Sequence, residues 1–365
     1  MRIATLEDLS QKRNANVTHL GTIHPEESYV AKRPISLTGQ LASADEKHLI
    51  PLVSEEFEVR APALDIFSVT DALVLPNAAI CTGDHIIADS LRPYLHREDV
   101  LAQFGKRILP IADSQDEYDI RVSNLRRITK PSLLVRDHGE AGYFHFLHSV
   151  LPRVLLWQQC PVPDLHIART TSFQTQFLDY LRVSKERLQV AAGQAYLYDQ
   201  AYMISGLVRP DWTTGGFFER PLEVTRRLRS LIPADAAYSG ERIYISRRDS
   251  PIRPVKNESA FEGILAQQYG FKSVVLSEMT PDQQIRTFAS AAIVVGSHGA
   301  GLSNASFMKE GAILFEIFPR SRIWPTFRAI ATRANLRYAT HVSPAADQFD
   351  IEELAPAIGR VLNAA

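Results

Sequence analysis

His298 lies in the run VVGSHGAGLSN, Val294 to Asn304, between an apolar stretch that stops at Gly296 and a string of small residues. Small residues where a strand turns into a helix let a ligand come close to the backbone, and the N–H groups of a helix start attract anions. The run therefore predicts an anion-binding turn made of His298, Gly299, Ala300, Gly301 and Leu302, with Asn304 just beyond. A buried structural histidine is the alternative for His298. A second polar cluster, SRRD, Ser246 to Asp249, follows the apolar run RIYI. Arg247 and Arg248, with Arg253 and Lys256 downstream, could neutralise a diphosphate through charge-assisted hydrogen bonds, or simply form a solvated basic loop. Glu316, inside the apolar run LFEIF, needs a partner because an unpaired buried carboxylate is expensive; a ribose diol or a nearby arginine would serve.

The stretch GEAGYFHFLHSVLPRVLLW sets His145 and His148 three residues apart on a predicted helix. Metal binding is disfavoured, since no third ligand is near in sequence and the flanks are apolar. A general base fits better, because an imidazole titrates near neutrality and can take a proton from a hydroxyl. One of the two histidines could equally be a core residue. Other chemistries fail on spacing: GSHGAG reverses the glycine order of the dinucleotide fingerprint, no Walker A sequence occurs, and histidine stands where a nucleophile elbow needs serine.

These residues need elements to carry them. The segment from Phe57 to Ser90 alternates apolar and polar residues between turn signals and predicts a β-rich layer. PSLLVRDHG reads as a strand delivering a loop, and Tyr143 to Gln158 as a helix in which Pro152 forces a kink or a restart. Strand, helix and strand follow in DLHIAR, SFQTQFLDYLRV and LQVAAGQAYLYDQAYMIS. After a linker at PADAAYSG a second α/β rhythm starts at RIYISRR, with a helix ending at Gly270, a helix opened by Thr280 and Pro281, and strands AIVVGS and GAILFEIFP. The expected fold class is α/β, with two Rossmann-like lobes around a central cleft and a β-rich N-terminal layer. Residues 1–55 form an extension, 56–232 a first lobe, 233–345 a second lobe with the ligand at its strand ends, and 346–365 a helix packing back on the first lobe.

Composition narrows the function. A chain of 365 residues with 45% hydrophobic and 22% charged residues suits two or three globular domains of ~150 residues each. A formal net charge of -1 argues against a nucleic-acid partner, whose phosphates call for a clustered excess of Lys and Arg. The two cysteines, Cys81 and Cys160, give neither a disulfide framework nor a zinc pattern. The opening residues lack an apolar core of signal-peptide length and no segment has the ~18 apolar residues of a membrane span, so a cytoplasmic location is expected.

Three ordered blocks resemble the family 61 glycosyltransferases. GYFHFLHSVLPRV is similar to the family's NYFHWLLDxLPRL, YISRRDSPIRPVKNE to YISRRxxxxRxxxNE, and FASAAIVVGSHGAGLSNASFMKEGAILFEIFP to FxxAxxVVGPHGAGLxNxxFMxxGxxVxEIxP, across about residues 57 to 330. The resemblance implies a GT-B fold and an inverting hexosyl or pentosyl transfer without an obligatory metal or other cofactor. It places Ser246, Arg247, Arg248, Arg253, Asn257, Glu258, His298, Gly299, Asn304 and Glu316 on the donor side and His145 on the acceptor side. The implied partners are a nucleotide-sugar donor and a glycan or glycolipid acceptor. The implied setting is bacterial surface polysaccharide or lipopolysaccharide synthesis at the inner face of the membrane, with peripheral contact only. Two departures stand out: Gly142 replaces asparagine, and Ser149 stands where many members carry an acidic candidate base four positions after the motif histidine. The role of base then passes to His145, His148, Glu140 or Asp137. If it is lost, the chain is a non-catalytic nucleotide- or glycan-binding scaffold; a sugar-nucleotide epimerase is a third reading.

Overall fold

In the computed structural model, the described residues are 1–39, 49–90, 108–110, 118–120, 122, 124–137, 139–157, 160, 164–187, 193–207, 218–250, 254–320, 323–345 and 347–364. The chain divides into two compact units: Met1–Glu27 with Arg60–Arg227, and Ser28–Val59 with Leu228–Ala365.

In the second unit the strands are β1 (Ser36–Gly39), β2 (Glu241–Ile245), β3 (Lys272–Val274), β4 (Ala291–Ser297), β5 (Ile313–Pro319) and β6 (Arg337–Ser343). They pair in the order β3-β2-β4-β5-β6-β1, every pair parallel. All seven residues of β5 are buried, as expected for a central strand covered on both faces. Beside the sheet strands in sequence lie the helices α1 (Glu258–Tyr269), α2 (Pro281–Ser290), α3 (Thr326–Arg333) and α4 (Ile351–Asn363). Gly270 stops α1 with a left-handed φ of 69°. Thr280 caps α2 in a reciprocal capping box with Gln283, and Pro281 occupies the first turn. From β2 the chain crosses through α1 to β3 on one side, then through α2 to β4 on the other. The strand order therefore reverses between β2 and β4, and in open α/β sheets that point leaves a crevice beyond the strand ends.

The first unit holds a mixed sheet rather than a Rossmann-like one. Leu64–Val74 pairs antiparallel with Val17–His24, Ile80–Thr82 and Ala195–Ile204. On its other side Ala195–Ile204 pairs parallel with Leu125–Ile128 and Ser132–Leu134, and the latter with Asp164–His166. The β-rich stretch and the α/β rhythm read from the sequence thus share one sheet instead of forming separate layers.

Two expectations about the chain ends fail. Residues 1–55 are not a separate extension: Arg2–Ala4 pairs with His85–Ile87 in the first unit, and β1 adds an edge strand to β6 in the second. The fully buried Arg328 of α3 holds this second insertion, donating to the carbonyls of Leu52 (2.7 Å), Lys32 (2.8 Å), Ala31 (3.3 Å) and Glu55. Burial lowers its guanidinium to about 10, and the carbonyls satisfy its donors. The C-terminal helix α4, expected on the first lobe, belongs to the second unit. Its Leu354, Ile358 and Val361 share a core with Tyr244, Phe261 and Leu265 of the second unit, because that apolar face completes the cover over β2 and β4.

The helix from Tyr143 restarts as foreseen, but through a π turn. Pro152 has no N–H for the His148 carbonyl four residues back. The turn widens to a π segment over Phe146–Val150, Arg220 Nη1 donates to the orphaned His148 carbonyl at 2.6 Å, and the α-helix resumes at Leu151–Leu156.

Candidate active site

At the crevice between β2 and β4 a cavity of about 250 Å³ is lined by Ile245, Ser246, Arg247, Asp249 and Ser250 at and after the end of β2, by Leu276, and by Ser297, Gly299, Ala300, Gly301 and Leu302 at and after the end of β4. Arg247 dominates it. Its backbone N–H donates to Glu258 Oε1 at 2.7 Å, its Nη2 donates to Ser250 Oγ at 3.0 Å, and burial pulls the guanidinium below its ordinary value while Glu258 opposes the shift. An arginine stays cationic regardless. Glu258, expected on the donor side, is 7% exposed and also accepts from Tyr244 Oη at 2.8 Å. It fixes the Arg247 backbone rather than meeting a ligand.

Opposite Arg247 the chain enters a 3-10 helix, Ala300–Phe307, whose first N–H groups have no acceptor within the helix. Gly299 lets the arginine lie against this turn: a Cβ there would sit 2.5 Å from Arg247 Nη1. Gly301 is similarly close to Leu276 Cδ1, at 2.9 Å. Asn304 is 0% exposed and donates to Gln284 Oε1 and the Gly301 carbonyl, both at 3.2 Å, so it shapes the turn from behind.

His298 is held on three sides. Its Nδ1 lies 2.5 Å from Glu316 Oε1, its ring stacks on Phe318 at 5.3 Å, and Phe327 meets it edge-on at 5.1 Å. Glu316 is 0% exposed, and its other oxygen accepts from Tyr338 Oη at 2.6 Å. The partner this carboxylate needed is therefore His298 with Tyr338, and neither a ribose nor an arginine. A carboxylate on Nδ1 fixes the ring's orientation and leaves Nε2 for a ligand. His298 borders, with Arg247 and Ser297, a separate pocket of about 20 Å³ that reaches Phe318 and Phe349.

Other predicted donor residues lie apart from the cavity or behind it. Asn257 clasps the backbone of Phe349, donating to its carbonyl at 2.8 Å and accepting from its N–H at 2.9 Å. Arg248 is exposed, its N–H 3.4 Å from Ser246 Oγ; Lys256 pairs with Asp347 at 2.6 Å. Arg253 lies outside the described residues.

In the first unit the loop after Ser132–Leu134 leads into the helix that carries His145. That ring has a quarter of its side chain exposed and its Nδ1 is 3.6 Å from Asp137 Oδ1, within ion-pair reach and long for a hydrogen bond. Asp137 Oδ1 also accepts from Gly139 N at 2.8 Å, and a Cβ on Gly139 would lie 2.5–2.7 Å from His145 ring atoms. Glu140 is engaged elsewhere: Arg136 grips both its oxygens at 2.7–3.0 Å, and Asp137 N donates to it at 3.2 Å. Arg136 Nη1 also lies 3.0 Å from His166 Nε2, whose Nδ1 is 2.5 Å from Tyr198 Oη. His148 is 1% exposed, its ring packed on Phe144 at 5.2 Å, which corrects its place among candidate bases. A ring so enclosed does not meet a substrate hydroxyl.

Sequence reading missed Tyr338 and Gln284, which support the site from elements with no motif of their own. It passed over Ser297 as one small residue among several. Among the described residues no group of three or more His, Cys, Asp or Glu is placed to share a metal ion, and no helix is long and apolar enough to cross a membrane. Cys81 and Cys160 are free, with burial pushing their thiols up to about 12 and about 11, which makes both poor nucleophiles near neutrality.

No curated protein matches the chain. Residues 143–315 match the family described as Glycosyltransferase 61, a span that takes in His145, Arg247 and the His298 turn and stops one residue short of Glu316. Over that span the chain is similar to the glycosyltransferase 61 family.

Proposed function

We propose that the protein is an inverting, metal-independent glycosyltransferase, with the nucleotide-sugar donor in the crevice of the second unit and acceptor activation at His145 of the first. The observation that carries this reading is the cavity at the strand-order reversal, lined by Arg247 and the start of a 3-10 helix, with the braced His298 on the small neighbouring pocket that shares Arg247 and Ser297 with it. A cation, a histidine and oriented N–H groups suit a diphosphate.

In a single displacement the acceptor oxygen attacks the anomeric carbon from the face opposite the leaving group. The bond from that carbon to the diphosphate oxygen breaks with its electron pair going to the phosphate. Arg247, the N–H groups of the turn and His298 Nε2, when protonated, stabilise the charge that develops. They supply the positive field that a divalent ion would otherwise provide. The acceptor proton passes to His145 Nε2, and the imidazolium formed has Asp137 near its Nδ1. Asp137 thereby supports the base that Ser149 cannot supply. Assembly of a bacterial surface polysaccharide or lipopolysaccharide in the cytoplasm is the setting we infer from the family resemblance.

The test is nucleotide release from UDP, GDP and CMP sugars in chelator, with the anomeric configuration of the product determined. Release with inversion from one donor, abolished in His145→Ala while donor binding persists, is expected. Binding without release for every donor and acceptor would favour a scaffold instead.

A further inference from the structure

Ser297 ends β4 between Gly296 and His298, and it borders both the large crevice cavity and the small pocket beside His298; Arg247 is the residue that shares both linings with it. Its Oγ is shielded from solvent and has no hydrogen-bond partner among the described residues. A hydroxyl buried without a partner carries a desolvation penalty, and one on a residue that borders a ligand cavity recovers it by turning about χ1 toward an acceptor that the ligand supplies. The Ser149 and Ser306 hydroxyls are likewise buried without partners, but those residues sit within helical segments and line neither cavity. The family block that this run resembles carries proline at the Ser297 position, so a hydroxyl here is a property of this chain.

We propose that the Ser297 hydroxyl donates a hydrogen bond to a diphosphate oxygen of the donor, on the wall shared with Arg247. This rests on the reading of the crevice as a nucleotide-sugar site. Phosphate is favoured over a sugar hydroxyl because the arginine at the same wall already concentrates positive charge there.

The experiment is calorimetric titration of wild type and Ser297→Ala with the nucleoside diphosphate and with its sugar conjugate, alongside thermal unfolding of the unliganded proteins. The expected result is an affinity loss of about tenfold for both ligands, with a melting temperature equal to or above wild type, because alanine removes an unsatisfied group. Unchanged affinity for both ligands would overturn the proposal. So would a loss confined to the sugar conjugate, which moves the contact to the sugar, or a loss accompanied by a lower melting temperature, which makes the role structural. If wild type binds neither ligand, the donor-site reading fails before this one is reached.

Discussion

Two glycines, one in each unit, lie under the side chains on which the chemistry depends, and what surrounds each differs. Gly299 lies under Arg247, and beside it His298 is braced by Glu316, Phe318 and Phe327. Gly139 lies under His145, whose ring is a quarter exposed and 3.6 Å from its carboxylate. Groups that stabilise a charge as it forms gain from being fixed in advance, because they need not reorganise during the reaction. A base must meet an incoming hydroxyl and take a proton, which suits a ring with an open edge. The rigid histidine and the looser one therefore have different work.

Removing charge from the fixed side gives the largest expected effect. Arg247→Ala should lower turnover by about 100 to 1000-fold, the usual cost of one lost donor to a developing charge, as measured by nucleotide release. Near-wild-type turnover would remove Arg247 from the mechanism.

The two glycines separate the roles. Gly139→Ala drives a methyl into the His145 ring, and a displacement of ~1 Å at a reacting group costs about 100-fold; kcat should fall while donor affinity holds. Gly299→Ala meets only the flexible end of Arg247, so donor affinity should weaken by about tenfold with a smaller loss in kcat. If both variants change the same parameter, the division of labour is wrong. Glu316→Gln keeps the shape of the His298 brace and removes its charge, and should weaken donor binding by about tenfold or less, read by titration.

The smallest effect concerns stability. Burial, with Arg136 adding to it, holds the His166 ring well below the usual histidine range, and burial lowers His341 despite opposition from Glu353 and Asp350. Both folded-state values lie below the unfolded value of about 6.5. Below that pH the unfolded chain binds protons that the folded chain refuses, so this stability is complete above about pH 6.5 and is lost as pH falls through the window beneath it. Melting temperatures should drop between pH 7.5 and 5.5, and His166→Asn should flatten part of that drop; an unchanged slope would contradict it.

Much of the second unit was legible from its residues because its signals are local. Thr280 with Gln283 caps a helix and Gly270 ends one. The apolar runs around Ile293 and Phe315 can only be buried strands. Its edge was not legible: β1 comes from residues far upstream, and nothing in SLTG announces a partner at β6. Arg328, which holds that insertion through backbone carbonyls, leaves no charge pattern to read. In the site, Arg247 and the His298 turn were visible as clusters, whereas the use of Glu316 as a brace depends on the register between β5 and its neighbours. The choice between His145 and His148 depended on burial, which their spacing along one helix does not reveal.

Everything proposed for the second unit depends on the crevice between β2 and β4 holding a nucleotide-sugar diphosphate against Arg247. The most direct measurement is calorimetric titration of nucleoside diphosphates and their sugar conjugates, in chelator, into wild type, Arg247→Ala and His145→Ala. One nucleotide should bind wild type and His145→Ala alike and bind Arg247→Ala far more weakly. Equal binding to Arg247→Ala, or binding that requires a divalent ion, would contradict it.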